Sequence, residues 1–308
     1  MEVTPETAMP YLRQVGGYRM KGYWYQWQDP ITKQFRPGTH FDQIIYRYEF
    51  DRELRRITSD ALERIELMAR ATISNVLSKH EGPHWFMKEG IFLKQIPGRD
   101  PPITTLLDKI CEEVRRVKGS QFIEHYLSKY NDPALPPSWA VSECLSFGSW
   151  SHAFSYLSNI SYKKEISRRF GVEDATVFAS WLHAFSVLRN KVAHHSRLLG
   201  AKTGVSPREY VKRGLTFDQS VRQTFYSIAS AINFVCEHIP RDSHWRTTLE
   251  DLFKRYPDIP IGNTLGFPKA WQDGPGWGNR NNPQGNTTMA HAFQAAQARP
   301  SNSFLSNP

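Results

Sequence analysis

Cysteine is scarce in this chain, with three in 308 residues: Cys111, Cys144 and Cys236. They are odd in number, far apart and free of any C-x-x-C pair, which argues against a disulfide framework or a zinc finger and fits a reducing, cytoplasmic setting. No run of 18 apolar residues occurs, and the start Met1-Glu-Val-Thr-Pro-Glu6 has neither a basic n-region nor an apolar h-region, so no membrane span and no secretory leader are expected. Strand signals are poor, since no alternating run and no Asn-Gly hairpin stand out. The motifs G-x-x-x-x-G-K-[ST], G-x-G-x-x-G after a strand and G-x-S-x-G are missing, which removes support for P-loop, Rossmann and hydrolase-elbow chemistry. Acidic residues are also short, 30 against 39 Lys and Arg, leaving a net charge of +9. A protein this basic is drawn to polyanions, nucleic acid first and an anionic membrane surface second.

What is present is apolar periodicity at helical spacing. Such a length supports one large domain or two modest ones with a full core. The 9 Trp, 13 Tyr and 18 Phe point to aromatic-heavy packing. Residues 1–40 are aromatic and turn-rich around Gly16-Gly17-Tyr18; these rings could stack on RNA bases, but a cap packed on a helical body is the better reading. From Phe41 to about His80, Ile44, Tyr48, Leu54, Ile57, Leu62, Ile65, Ile73 and Leu77 recur at three- and four-residue steps, with Ser59 or Asp60 able to cap a second segment within the run. Further helices are predicted over about 104–129, after Pro136-Pro137, over 161–170 ending at Gly171, from Glu173 or Asp174 onward, over 217–238 and around 243–256. Loops are read at 97–102 and 198–216. From Gly262 onward, Gly, Pro, Asn and Gln supply 22 of 47 residues, a composition that does not support a packed core and is read as mostly disordered or draped on the surface. The expected architecture is all-α: an aromatic segment over 1–40, a helical domain over 41–260 and a low-complexity tail over 261–308.

The richest chemistry lies at the end of the helix predicted from Glu173 or Asp174. On a wheel at roughly 100° per residue, Phe178, Trp181, Phe185, Leu188 and Val192 form a core stripe, while His183, Asn190, His194 and Arg197 gather opposite with Arg189 between them. Adjacent histidines on a helix point apart, and no carboxylate completes a facial set, so metal binding by His183, His194 and His195 is disfavoured and no cofactor is expected. Metal-free RNA scission needs few groups, and these suffice. Arg189 would stabilise the developing phosphorane charge, His194 would move the proton, and Asn190, one turn before His194, would orient imidazole or phosphate. Structurally, the same cations could simply face a helix C-terminus. Seven Lys or Arg against Glu209 alone fall between 189 and 213, so Lys191, Lys202, Arg208, Lys212 and Arg213 are expected to bind RNA beside the cluster. Asp51, Arg52 and Arg55 read as solvated faces or helix-to-helix ion pairs.

The string Leu188-Arg-Asn-Lys-Val-Ala-His-His-Ser-Arg-Leu198 resembles the R-N-x-x-A-H-H-x-R-L signature of the Abi (abortive infection, AbiD/AbiF-like) family within the HEPN superfamily. Phe50-Asp-Arg-Glu-Leu-Arg55 with Ile65-Glu66, and Pro136-Pro-Ser-Trp139 running on to Ser151, resemble two further family segments in the correct order, so that the likeness runs from about Tyr11 to Tyr256. The resemblance implies a HEPN-type helical bundle, a homodimer in which two motifs meet, and metal-independent endoribonuclease activity leaving a 2′,3′-cyclic phosphate. It also implies a toxin-like antiphage role and admits an antitoxin RNA or protein as a further partner. Arg189, Asn190 and His194 match the motif core, His195 and Arg197 flank it, and Glu143 is a supporting candidate, a buried acid paired with an arginine such as Arg189. The other reading is a non-catalytic or regulatory module that holds a structured RNA.

Overall fold

The longest apolar periodicity becomes one unbroken helix. A computed structural model describes residues 1–96, 104–117, 121–239, 244–274 and 276–277. Among them are twelve α-helices and no strand: α1 (Pro5–Gln14), α2 (Gly17–Trp24), α3 (Phe41–Glu81), α4 (Thr104–Arg116), α5 (Gln121–Lys129), α6 (Ser138–Val141), α7 (Phe147–Tyr156), α8 (Ile160–Arg168), α9 (Ala175–Ala193), α10 (Phe225–Cys236), α11 (Trp245–Arg255) and α12 (Ile261–Leu265). Helix α3 is about 60 Å long at 1.5 Å per residue. It starts where the Gln43 carboxamide accepts the His40 amide, and it runs through Ser59 and Asp60 without a second cap. Along it pack α2, α6, α7, α8, α9, α10 and α11, because Phe50, Leu54, Ile57, Leu62, Ile65, Ile73 and Leu77 form a buried stripe.

Helix α9 buries the stripe expected of it: Phe178, Trp181, Phe185, Leu188 and Val192 face the core. Asp174 caps its start, accepting from the amides of Thr176 and Val177 at 2.7 and 3.3 Å. Helix α8 stops short of Gly171, which has φ +73° and whose added Cβ would lie 2.3 Å from the His238 ring, so only glycine fits that turn. Helix α10 is buried on all sides and forms the middle of the bundle. It begins at Phe225 rather than at 217, since 217 and 218 are irregular and 219–223 form turns.

Part of the expected tail belongs to the core. Leu265, Phe267, Trp271 and Trp277 are buried, the Trp277 indole donates to Ser230 Oγ at 2.7 Å, and Asn233 Nδ2 donates to the Gly276 carbonyl at 2.6 Å. Residues 261–274 and 276–277 thus add partners to polar groups of α10 that also bond within the helix or just past it, Ser230 to the Tyr226 carbonyl and Asn233 to Glu237. A composition-based reading passes over four large apolar side chains at this spacing. The loop expected at 97–102 and the tail beyond 277 lie outside the described residues. No helix among the described residues is long and apolar enough to cross a membrane.

The three cysteines are free thiols. Burial, then the nearby Glu113 and Glu143 carboxylates, push the Cys144 thiol up to about 11, so it holds little of the reactive thiolate near neutrality. Iodoacetamide applied to the native protein should label the partly exposed Cys111 first and reach the buried Cys144 and Cys236 only after unfolding; peptide mass spectrometry reads this order directly.

The α9 cap gives a pH-dependent test. Burial alone would raise the Asp174 carboxyl, but the two amides it accepts from hold it below the ordinary carboxylate value. Such a group adds stability that is complete above the unfolded-chain pKa of about 3.9 and disappears as pH falls through the lower folded value. Asp174→Ala should therefore cost about 1 kcal/mol at neutral pH. In denaturant titrations, that difference from wild type should narrow in acid.

Candidate active site

The motif sits where α9 ends, and the ending is unusual. The His194 amide bonds the Asn190 carbonyl at 3.0 Å, the His195 amide bonds that of Val192 at 2.9 Å, and the Ser196 amide reaches back to Lys191 at 2.8 Å. This is the six-to-one, five-to-two closure that places one left-handed residue just past the helix, a position that favours glycine. Here the residue is His195, with φ 55°. A side chain held there costs about 1–3 kcal/mol and persists when its surroundings fix it. The left-handed step also parts the two histidines: His194 closes the helix and His195 leaves its axis.

Arg189 is anchored from below. Its Nε donates to Glu66 Oε2 at 3.1 Å, its side chain is 40% exposed against 7% for Glu66, and Arg70 pairs with the other Glu66 oxygen. The Nη groups of Arg189 are not needed for this contact, and a guanidinium fixed through Nε presents them as a fork suited to phosphate. Asn190, His194 and His195 are exposed. Glu143, expected as the acid on Arg189, is instead exposed and, among the described residues, accepts a 3.4 Å contact from Ser142. The acid on Arg189 is Glu66, which the segment likeness contained but no pairing argument used.

The turn after the motif hangs on a second carboxylate of α3. Asp51 is fully buried and accepts from the amides of Leu198 and Leu199 at 3.0 and 2.7 Å, from the Tyr23 hydroxyl at 2.7 Å and from Arg55. Asp51 and Arg55 are therefore not a solvated face. Burial pushes the Asp51 carboxyl up, and Arg55, Tyr23 and the two amides draw it back. Their signal was legible as position: Asp51, Arg55, Thr58, Leu62 and Glu66 share one side of α3, where the uncharged members belong to the core.

The N-terminal segment reaches the same turn. Arg19 donates to the His195 carbonyl, and Arg197 donates to the Gly22 carbonyl with its guanidinium 5.1 Å from the centroid of the Tyr25 ring. Arg197 thus braces α2. The basic residues predicted as one patch are divided by the fold. Lys191 Nζ lies 3.3 Å from the Lys202 carbonyl near the motif. The loop then doubles back along α9: Arg208 is held by Ser180 Oγ and the Trp181 indole, and Arg213 pairs with Glu173 at 3.2 Å. Glu173 precedes Arg189 by 16 residues, which places Arg213 and its neighbour Lys212 about 24 Å along the helix from the motif. Among the described residues no group of three His, Cys, Asp or Glu is placed to hold a metal ion.

The described residues thus form an all-α body with Arg189, Asn190 and His194 at a braced helix end. Residues 10–200, more than half of the chain, match the family model described as Abi-like protein, and the chain belongs to that family. Family membership associates it with abortive infection. Neither a curated protein nor a solved structure matches it.

The two α3 acids make separable predictions. Asp51→Asn leaves Arg55 buried without its carboxylate and should cost about 3–5 kcal/mol, read as a lower denaturation midpoint. Glu66→Gln should cost less, because both of its cation partners, Arg189 and the less exposed Arg70, keep some contact with water, while releasing the Arg189 side chain. Equal midpoints for Asp51→Asn and wild type would refute the anchoring role.

Proposed function

We propose that this Abi-like protein is a HEPN-type endoribonuclease that cuts RNA without metal, acting as a homodimer in the cytoplasm during a toxin-like antiphage response. The observation that carries this reading is the pair of Arg189, fixed through Nε by buried Glu66, and His194, exposed at the end of the same helix. In the proposed step, the substrate 2′-oxygen attacks phosphorus and the bond to the 5′-oxygen breaks. The 2′-hydroxyl proton goes to a base and the leaving oxygen gains one, giving a 2′,3′-cyclic phosphate and a 5′-hydroxyl. The Nη groups of Arg189 would meet the extra charge on the non-bridging oxygens. His194 would carry one of the protons, and Asn190 would orient the phosphate. Each chain offers one such set at an exposed helix end, and a second copy would bring the other proton carrier to the same phosphate.

The test is end-labelled single-stranded RNA incubated with wild type, Arg189→Ala and His194→Ala in EDTA, with folding checked by circular dichroism and the copy number by light scattering. Wild type should yield cyclic-phosphate ends, and each variant should lose roughly a hundredfold or more in rate. Folded wild type that binds RNA with steep salt dependence but leaves it intact would instead establish a non-catalytic RNA-holding module. Cleavage that stops in chelator would overturn the metal-free step.

A further inference from the structure

Resting on the RNA reading above, we infer that the substrate's phosphodiester backbone runs through the arginine-lined groove between α2, α3 and α11, and that His195 is the motif residue that meets it there. The groove measures about 1110 Å³ and opens beside the end of α9, with Ala193 and His195 on its wall. Arg19, Arg52, Arg56 and Arg255 line it, and Tyr48 contributes an aromatic side chain.

Its carboxylates are partly spent on other cations. Glu53 takes Arg255 and the Tyr256 hydroxyl, and Asp60 takes Arg64, while Glu63 remains on the wall. Arg52 is shared with Glu49. Arg19 spends its contact on the neutral His195 carbonyl, so its charge is retained. Arg56 is exposed on α3 and makes no ion pair among the described residues. Two guanidinium groups that make no ion pair among the described residues, on one groove with an exposed imidazole, form an anion track.

A second observation points to the same residue. The left-handed turn at His195 would be easiest for glycine, yet the chain keeps an imidazole there and holds the backbone with Arg19. A strained side chain facing an open, basic groove marks a contact that the turn exists to present. By comparison, Arg213 on the distant patch is already paired with Glu173.

The test uses full-length protein and a fluorescein-labelled, 2′-O-methylated single-stranded RNA, which binds but cannot be cut by 2′-oxygen attack. Anisotropy is followed between about 50 and 200 mM salt. Arg56→Ala and His195→Gly should each raise Kd about threefold to tenfold, and Arg56→Ala should flatten the salt slope by about 0.7, the value for one lost phosphate contact on a single strand. His195→Gly should keep or raise Tm, which separates a lost contact from a lost fold. If the glycine variant does not fold, His195→Asn, which also tolerates the left-handed turn, replaces it. Wild-type affinity in both Arg56→Ala and the His195 variant, with weakening in Lys212→Ala/Arg213→Ala instead, would overturn the groove and leave the RNA reading standing. Absence of RNA binding by wild type would overturn both.

Discussion

Two carboxylates on one face of α3 hold the catalytic candidate in place. Asp51 and Glu66 are 15 residues apart, about 22 Å along the helix, and α9 with its following turn runs past them in the opposite direction, Arg189 at Glu66 and Leu198 and Leu199 at Asp51. A carboxylate taken out of water is costly unless every lone pair finds a donor. Asp51 meets that condition with two backbone amides, a phenol and a guanidinium. Removing any donor would therefore affect a buried charge, and the turn that carries His194 and His195 is the nearest backbone able to move in response.

This arrangement explains which parts of the fold could be read in advance. The α9 stripe, the Asp174 start and the Gly171 stop follow from period and cap chemistry, which are local properties. Asp51 and Glu66 follow from neither, because residue type assigns a carboxylate to solvent and only position on the α3 stripe contradicts it. The pairing of Arg189 had to be chosen among acids far away in sequence, and by that measure Glu143 lies nearer than Glu66, which is 123 residues away. The basic loop misled for the opposite reason: nearness in sequence to Arg189 was taken for nearness in space, whereas the chain reverses at 200–208 and carries Arg208 and Arg213 back to the start of α9. Average composition likewise hid the core role of the segment after 260, where Phe267, Trp271 and Trp277 pack against one another edge-on or tilted.

The aromatic N-terminal segment also changes meaning once placed. Its rings form a small core with α3, as Met20, Tyr23, Phe41 and Ile44 bury one another. Its polar atoms, though, converge on the motif turn: Arg19 on the His195 carbonyl, the Gly22 carbonyl on Arg197, the Tyr23 hydroxyl on Asp51 and the Tyr25 ring on Arg197. Three of these contacts, from seven consecutive residues, couple the α2 region directly to the end of α9, and the fourth reaches it through Asp51 of α3. A displacement of α2 would release the turn from one side while α3 still held it from the other.

That coupling bears on why two adjacent histidines are tolerated at an exposed helix end. Had α9 continued through 195, the two rings would sit about 100° apart on one cylinder. The left-handed residue ends the helix between them, so His194 stays at the helix end with Asn190 while His195 lines the groove walled by Arg19 and Arg56. The backbone strain at His195 is thus the geometric condition for giving two identical side chains different surroundings. On the proposed reading, one serves the scissile phosphate and the other the strand leading to it, and the braces from α2 and α3 keep that division when RNA arrives.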